Sequence, residues 1–283
     1  LVKISGEDHI VMVTASENPF DRFRRGNQDG PPQGAPPQGE RPRDTQQDAP
    51  PQGERPQGER PQGAPPQGGF EQFTPAFMGK IVGIRPLTGE KLWEYSNWEC
   101  HIPVPSAVDA GDGRILVVAG YELGSVMLKV EKKAVDDYEV TELFRHNDFG
   151  DHTKPPIMHN GYFYAQFSTN SKKDGLACMN MDGKVLWKTG RRPGFDKGSM
   201  ILADGLILAT DGSKTLYLIE PDTTAFKPLA SAEILGEGGT GSENDPVASR
   251  VGGATQNWAP IALADGRLII RDQRRMMCVR IAE

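Results

Sequence analysis

The chain carries, at positions 203–208, the stretch Ala203-Asp204-Gly205-Leu206-Ile207-Leu208, in which a polar turn with glycine leads into an apolar run. Asp-Gly and Asn-Gly pairs supply the positive φ that tight hairpin turns require. The stretch therefore predicts a turn that joins two antiparallel strands. The same pattern recurs at four other places, which are residues 4–13, 110–118, 159–164 and 264–270.

The spacing of these five copies gives the size of a repeat. Gly113 and Gly161 are 48 residues apart, and Gly161 and Gly205 are 44 residues apart. Gly205 and Gly266 are 61 residues apart, because the Gly-rich stretch 236–253 lies between them. A repeat of about 45 residues is the size of a four-stranded propeller blade.

Further alternating segments follow each copy, and no convincing helical period of 3.6 residues occurs, so the sequence predicts an all-β domain. The predicted third strands are residues 80–85, 125–130, 175–180, 215–220 and 276–281. The predicted fourth strands are residues 91–95, 138–144, 184–188 and 230–235.

The turn between the third and fourth strands carries the most specific pattern. It reads Ile84-Arg85-Pro86-Leu87-Thr88-Gly89-Glu90-Lys91-Leu92-Trp93 in the first unit and Met179-Asn180-Met181-Asp182-Gly183-Lys184-Val185-Leu186-Trp187 in the third. Both resemble the AxDxxTGxxxW signature of the pyrroloquinoline-quinone-like (PQQ-like) β-propeller repeat, in the quinoprotein alcohol dehydrogenase-like superfamily. The second and fourth units depart from the signature, with Phe144 and Ala232 at the Trp position.

The resemblance implies a β-propeller of four-stranded antiparallel blades. It also implies that Trp93 and Trp187, with the turn glycines Gly89 and Gly183, lock adjacent blades together, since an indole buries a large area and its N–H can reach a carbonyl. Relatives usually have seven or eight blades, whereas about five are found here, the last one incomplete. We therefore expect an incomplete ring with two or three blades upstream of Leu1. The resemblance further implies a periplasmic or secreted protein.

Residues 17–75 differ in composition from the rest of the chain. Between positions 26 and 69 the only apolar residues are three alanines, and 11 of the 23 prolines lie there. Such a Pro/Gln/Gly-rich segment buries too little apolar surface to fold, so we predict a disordered insertion between the second and third strands of the first blade. It is either a flexible tether, a partner-binding tract or a loop expansion without a specific role. The blades then occupy residues 1–16 and 76–283.

Charge and hydropathy exclude several classes of protein. The net charge is -6, from 32 basic and 38 acidic side chains, which argues against a nucleic-acid partner. No apolar run approaches the ~18 residues that a membrane-spanning helix needs. Three distant cysteines do not make a disulfide framework. Cys178 and Cys278, on predicted third strands, are expected to pack as small core residues.

Polar residues concentrate in the loops that a propeller brings to one face, which are the loops between blades and those between second and third strands. There they predict a site for a polar ligand or a metal, with His and carboxylate groups as ligands or acid–base groups. Alternatively, they are ordinary solvated turn residues. The candidate ligand-binding residues are His101, Asp148, Asp151, His152, Lys154, Asp196, Lys197, Asn257 and Trp258.

The expected function is that of a non-catalytic, exported PQQ-like repeat protein that binds a protein partner or a small polar ligand on its loop-rich face. One alternative is a quinone- or metal-dependent oxidoreductase that uses the same face, and another is the sensor part of a larger multidomain protein. Quinoproteins of this kind stack the quinone between a Trp and a disulfide of adjacent cysteines, with Glu, Asn and Asp around calcium. The sequence has no adjacent cysteines, although Asn257 and Trp258 resemble part of such a site, so no cofactor, metal ligand or catalytic residue is assigned.

Overall fold

The computed structural model describes residues 1–15, 79–168, 173–235, 256–273 and 275–281. These residues contain nineteen strands and no helix, and the strands form five antiparallel sheets. The all-β prediction is therefore confirmed. All of the described residues belong to one compact unit. The predicted insertion, residues 17–75, lies outside the described residues.

Each sheet is built from strands that follow one another along the chain. Sheet 1 contains β1 (Val2–Ile4), β2 (Glu7–Val13), β3 (Ile81–Ile84) and β4 (Lys91–Tyr95). Sheet 2 contains β5 (Val108–Gly111), β6 (Arg114–Ala119), β7 (Gly124–Ala134) and β8 (Asp137–His146). Sheet 3 contains β9 (Ile157–His159), β10 (Tyr162–Ser168), β11 (Lys173–Asn180) and β12 (Val185–Lys188). Sheet 4 contains β13 (Met200–Ala203), β14 (Leu206–Thr210), β15 (Thr215–Glu220) and β16 (Lys227–Glu233), and sheet 5 contains β17 (Ala262–Ala264), β18 (Arg267–Arg271) and β19 (Met276–Arg280).

Every sheet opens with the tight hairpin turn that the sequence predicts. In each turn the first central residue has φ between +49° and +53°, and the second is a glycine with φ between +65° and +83°. Two consecutive residues at positive φ match the right-handed twist of the strands that they join. The turn prediction is therefore confirmed for all five units, whose central pairs are Ser5-Gly6, Asp112-Gly113, Asn160-Gly161, Asp204-Gly205 and Asp265-Gly266.

Four hydrophobic cores hold the sheets together, and each lies between two sheets that are consecutive in the chain. Fully burying one large apolar side chain stabilises the fold by roughly 1.5–3 kcal/mol, so these cores supply most of the driving force. The resulting row of sheets is propeller-like, as the sequence predicts. Representative core residues are Ile81 with Val117 between sheets 1 and 2, Met127 with Phe163 between sheets 2 and 3, Leu176 with Ile207 between sheets 3 and 4, and Leu216 with Leu268 between sheets 4 and 5.

The outer faces of the first and last sheets remain accessible. Met12 on sheet 1 is 47% exposed and Met276 on sheet 5 is 72% exposed. Cys278 also lies on this outer face, because its cross-strand partner Ile269 points away from the core that Leu268 enters. The prediction that Cys278 is a core residue is therefore wrong, whereas Cys178 is buried in the core between sheets 3 and 4. That the ring continues upstream of Leu1 stays a prediction.

Aromatic side chains on the fourth strands connect two pairs of neighbouring sheets. The indole N–H of Trp187 on β12 donates to the carbonyl oxygen of Asp222, 2.9 Å away in the turn between β15 and β16 of sheet 4. Phe144 on β8 lies directly over Gly183 of sheet 3, where an added Cβ would come within 2.9 Å of the phenyl ring. Phe144 thus occupies the role that the signature gives to Trp.

Trp93 connects sheets 1 and 2 differently from the expected contact with a neighbouring turn. Its indole N–H donates to Nδ1 of His9, 3.2 Å away on β2 of the same sheet. The His9 ring then meets the edge of Tyr138 on sheet 2, with ring centroids 5.2 Å apart. Burial lowers the pKa of His9, which keeps the ring neutral and its Nδ1 free to accept. An added Cβ at the turn residue Gly89 would meet nothing within 4 Å.

Candidate functional site

Three segments between consecutive sheets contribute to the candidate site. Segment 2–3 is residues 147–156, segment 3–4 is residues 189–199, and the described part of segment 4–5 is residues 256–261. A buried phenylalanine anchors each of the first two. Phe149 packs in the core between sheets 2 and 3, and Phe195 packs in the core between sheets 3 and 4. These anchors place the polar residues that follow them in the chain.

The β14–β15 loop lies between segments 3–4 and 4–5. The N–H of Asp196 donates to the carbonyl of Asp211 at 3.0 Å, and the N–H of Asn257 donates to the carbonyl of Gly212 at 2.9 Å. An added Cβ at Gly212 would collide with the carbonyl oxygen of Asp196. Glycine at this position therefore permits the close approach of the loop backbone to the backbone of segment 3–4. Segments 3–4 and 4–5 are both held by backbone hydrogen bonds to this one loop.

Gln166 is a positioning residue that the sequence reasoning missed. Its side chain is 1% exposed, and its Nε2 donates to the carbonyl of Thr210 at 2.7 Å. Its Oε1 accepts from the N–H of Gly198 at 2.8 Å. One amide thus connects sheet 3 to sheet 4 and to segment 3–4. The available signal was a polar residue inside an otherwise apolar strand, between Ala165 and Phe167.

Two lysines from different segments meet at Trp258. The ammonium group of Lys154 donates to the backbone carbonyl of Trp258 at 2.7 Å. The ammonium group of Lys197 lies 4.9 Å from the centroid of the Trp258 indole ring, within the range of a cation–π interaction. Segments 2–3, 3–4 and 4–5 therefore converge on one residue. We call Lys154, Lys197 and Trp258 the lysine–tryptophan cluster.

Asp151 is a buried acid three residues before Lys154. Its Oδ1 accepts from the N–H groups of Thr153 and Lys154 at 2.8 and 3.0 Å, while its Oδ2 has no hydrogen-bond partner. Burial raises the pKa of Asp151 to about 7, against the opposing effects of the backbone N–H groups of Thr153, Lys154 and Gln166 and of the Lys154 charge. Burial also lowers the pKa of Lys154, and the Asp151 charge opposes that change. Asp151 can therefore exchange a proton near neutral pH.

Asn257 contributes an amide group without a partner. The residue is 0% exposed, and neither its Oδ1 nor its Nδ2 makes a hydrogen bond. Buried polar side chains are nearly always hydrogen-bonded, so such a group in a folded protein requires an explanation. Its neighbour Trp258 is 37% exposed, so a buried side chain and a partly exposed one follow each other in segment 4–5.

The remaining predicted residues lie around this centre or away from it. Asp196 has its Oδ1 3.5 Å from the ammonium group of Lys197. His152 is buried against the ring of Tyr121, with centroids 4.8 Å apart. The exposed Asp148 lies 3.5 Å from the ammonium group of Lys188 on sheet 3. His101 is exposed in the segment between sheets 1 and 2.

The described residues do not fit the calcium–quinone site that the family resemblance suggested. Among them, no three His, Cys, Asp or Glu side chains are arranged to hold a metal ion. Cys100 and Cys178 are buried in separate cores. Burial raises the pKa of both thiols, that of Cys178 to about 11, so neither is a reactive thiolate at neutral pH. We therefore derive no chemistry through a quinone or a metal.

Comparisons with known proteins add little beyond this geometry. No family model matches the chain, and no curated protein matches it. The similar solved structures include a glutaminyl cyclase of Myxococcus xanthus, which is 14% identical with a TM-score of 0.32 over 71% of this chain and 83% of that chain. They also include the computationally designed Ika8 protein, which is 9% identical with a TM-score of 0.38 over 71% of this chain and 65% of that chain. Likenesses this weak carry no argument about function. In the described part of the chain, no helix is long and apolar enough to cross a membrane.

Proposed function

We propose that the protein is a non-catalytic, exported repeat protein of the PQQ-like type that binds a partner or a small polar ligand on its loop-rich face. The observation that carries the proposal is the lysine–tryptophan cluster. Lys154 Nζ lies 2.7 Å from the Trp258 carbonyl, and Lys197 Nζ lies 4.9 Å from the Trp258 ring. Three segments, each between two consecutive sheets, thus supply two cations and an aromatic surface at one place.

The chemistry of the cluster favours an anionic ligand. Lys154 uses one of its three ammonium donors on a backbone carbonyl, which leaves donors for another acceptor. Hydrogen bonds that involve a charged group contribute about 1.5–3 kcal/mol each. Protonation of Asp151, whose pKa is about 7, reduces the negative charge next to Lys154. With Asp151 protonated, the ammonium groups of Lys154 and Lys197 outnumber the carboxylate of Asp196, whose Oδ1 lies 3.5 Å from Lys197 Nζ, in a protein whose net charge is -6.

Export is supported by the repeat pattern rather than by the site. The third-to-fourth-strand turns at Gly89 and Gly183 resemble a repeat that exported proteins use for both enzymatic and non-enzymatic purposes. Fold alone does not define function. The non-catalytic role is proposed over a quinone-dependent one because Cys100, Cys178 and Cys278 are not adjacent in sequence.

The binding proposal is tested with inorganic phosphate and citrate as probes. We expect both anions to change tryptophan fluorescence in a saturable way at millimolar concentrations. The double variant Lys154→Glu/Lys197→Glu should bind both anions at least about tenfold more weakly, because charged hydrogen bonds of about 1.5 kcal/mol or more are removed. The fluorescence response at millimolar concentrations should then be lost. Lys184→Glu is the matched control, since Lys184 is an exposed lysine in a third-to-fourth-strand turn. An absent response, or one that the double variant retains, would count against this face as the binding site.

A further inference from the structure

We propose that Asp151 couples anion binding at the lysine–tryptophan cluster to the uptake of a proton, so that the site binds an anion at slightly acidic pH and releases it as the pH rises. This inference rests on the proposed function and adds a regulation of the same site. A protonated Asp151 leaves the charge of Lys154 to the ligand. Such coupling is reciprocal, because the factor by which protonation raises the affinity for the anion is also the factor by which the bound anion raises the affinity for the proton.

Direct contacts place the Asp151 carboxyl group against Lys154. Its Oδ1 accepts from the backbone N–H of Lys154 at 3.0 Å and from that of Thr153 at 2.8 Å, which fixes the carboxyl group beside the lysine. The charge that acts most strongly on Asp151 is that of Lys154, and the charge that acts on Lys154 is that of Asp151. The two side chains are therefore electrostatically coupled, and Lys154 Nζ in turn donates to the Trp258 carbonyl at 2.7 Å.

The surroundings of Asp151 do not compensate a full negative charge. The residue is 0% exposed, and its Oδ2 has no hydrogen-bond partner among the described residues. From β10, the uncharged backbone N–H of Gln166 also acts on it. A buried carboxylate with an open acceptor is costly, and protonation removes the buried charge. Burial accordingly raises the pKa of Asp151 to about 7, so that small changes around neutral pH change its charge.

The other ionisable side chains around the cluster are engaged with different partners. Asp196 has its Oδ1 3.5 Å from the ammonium group of Lys197. The ring of His152 packs on Tyr121, whose backbone N–H donates to Nε2 at 3.4 Å. With Asp151 ionised, the two ammonium groups of the cluster are balanced by the carboxylates of Asp151 and Asp196. Protonation of Asp151 leaves one positive charge in excess, and this charge attracts the anion.

Isothermal titration with sulfate at about pH 5.5 and about pH 8 tests the coupling, because sulfate does not change its own charge over this range. We expect the two protonation states of Asp151 to differ about tenfold in sulfate affinity, within the usual range for coupled sites. With a pKa of about 7, the wild-type protein should then bind sulfate about fivefold more weakly at the higher pH. Titrations at about pH 7 in buffers of different ionisation enthalpy should show uptake of about 0.4 proton per sulfate bound.

The variant Asp151→Asn identifies the group that takes up the proton. Asparagine keeps the Oδ1 acceptor and carries no charge at either pH. We therefore expect the variant to bind sulfate at both pH values as tightly as the wild-type protein does at the lower one, without proton uptake. Asp137→Asn is the matched control, because Asp137 is an exposed acid at the start of β8, the end of that strand far from segment 2–3. This control should keep the wild-type pH dependence.

Three results would overturn the inference. A pH dependence or a proton uptake that persists in Asp151→Asn would assign the effect to another group, such as His152. Equal sulfate affinity of the wild-type protein at both pH values would refute the coupling and leave the proposed function intact. If sulfate binds at neither pH, the inference is wrong, and the binding of phosphate then decides whether the proposed function stands or fails with it.

Discussion

Replacing Phe195 with alanine is expected to lower the free energy of unfolding by about 3–5 kcal/mol, the usual cost of deleting a buried phenyl ring. Phe195 is 1% exposed, and its ring lies 5.0 Å from that of Tyr217 and 5.8 Å from that of Phe226. The lost area and the resulting cavity both fall in the core between sheets 3 and 4. Urea denaturation followed by far-ultraviolet circular dichroism measures the effect.

Two further variants are controls for the stability loss of Phe195→Ala. Phe195→Leu leaves a smaller cavity than Phe195→Ala and should therefore cost less stability than the alanine variant. Leu87→Ala alters a side chain that is 97% exposed and should change stability by less than about 0.5 kcal/mol. Because Phe195 anchors the backbone just before Lys197, Phe195→Ala should also weaken phosphate binding under conditions where the variant is folded. Equal stability of the alanine and leucine variants would contradict the described packing.

Asp151→Asn is expected to stabilise the protein at neutral and higher pH, by an amount on the order of 2–4 kcal/mol. The pKa of Asp151 is about 7 in the folded protein, against an ordinary value of 3.8. Since the folded-state pKa is the higher one, the contribution of this group to stability is complete below about pH 4 and is lost as the pH rises toward 7. Asparagine keeps the Oδ1 acceptor for Thr153 and Lys154 and carries no charge.

Urea denaturation at about pH 4, 6 and 8 gives the pH profile that tests this sign. The wild-type protein should lose stability relative to Asp151→Asn across that range, with the two most alike at the lowest pH. Asp148→Asn is the matched control, because Asp148 is an exposed acid in the same segment. A wild-type protein more stable than Asp151→Asn at about pH 8 would show that the carboxylate is compensated in the fold.

Local turn chemistry made the strands predictable from the sequence. Asn160-Gly161 and the other four pairs determine where each sheet begins, since few residues adopt positive φ at two consecutive positions. Contacts between residues that are far apart in sequence were harder to predict. The indole of Trp93 binds His9, 84 residues away, and no spacing rule connects the two. The exposure of Cys278 depends on which face of sheet 5 lacks a neighbour.

For the candidate site, the sequence predicted only which loops contain its residues. The sequence placed Lys154, Lys197 and Trp258 in segments that a propeller brings to one face. It could not give the pairing of Lys154 with a carbonyl 104 residues away, because that contact depends on how three sheets stack. That the Asn257 amide makes no hydrogen bond could not be predicted either, since an absent hydrogen bond leaves no pattern in the sequence.

The convergence of three segments on Trp258 is the central claim, and nuclear magnetic resonance of ε-13C-labelled lysines tests it most directly in the unliganded protein. We expect the ε-methylene resonance of Lys197, assigned with Lys197→Arg, to be shifted upfield by the indole ring that lies 4.9 Å from its ammonium group. The shift should vanish in Trp258→Leu, and titration should place the pKa of Lys154 below its ordinary value. A Lys197 resonance that coincides with that of Lys184 in both proteins would contradict the claim.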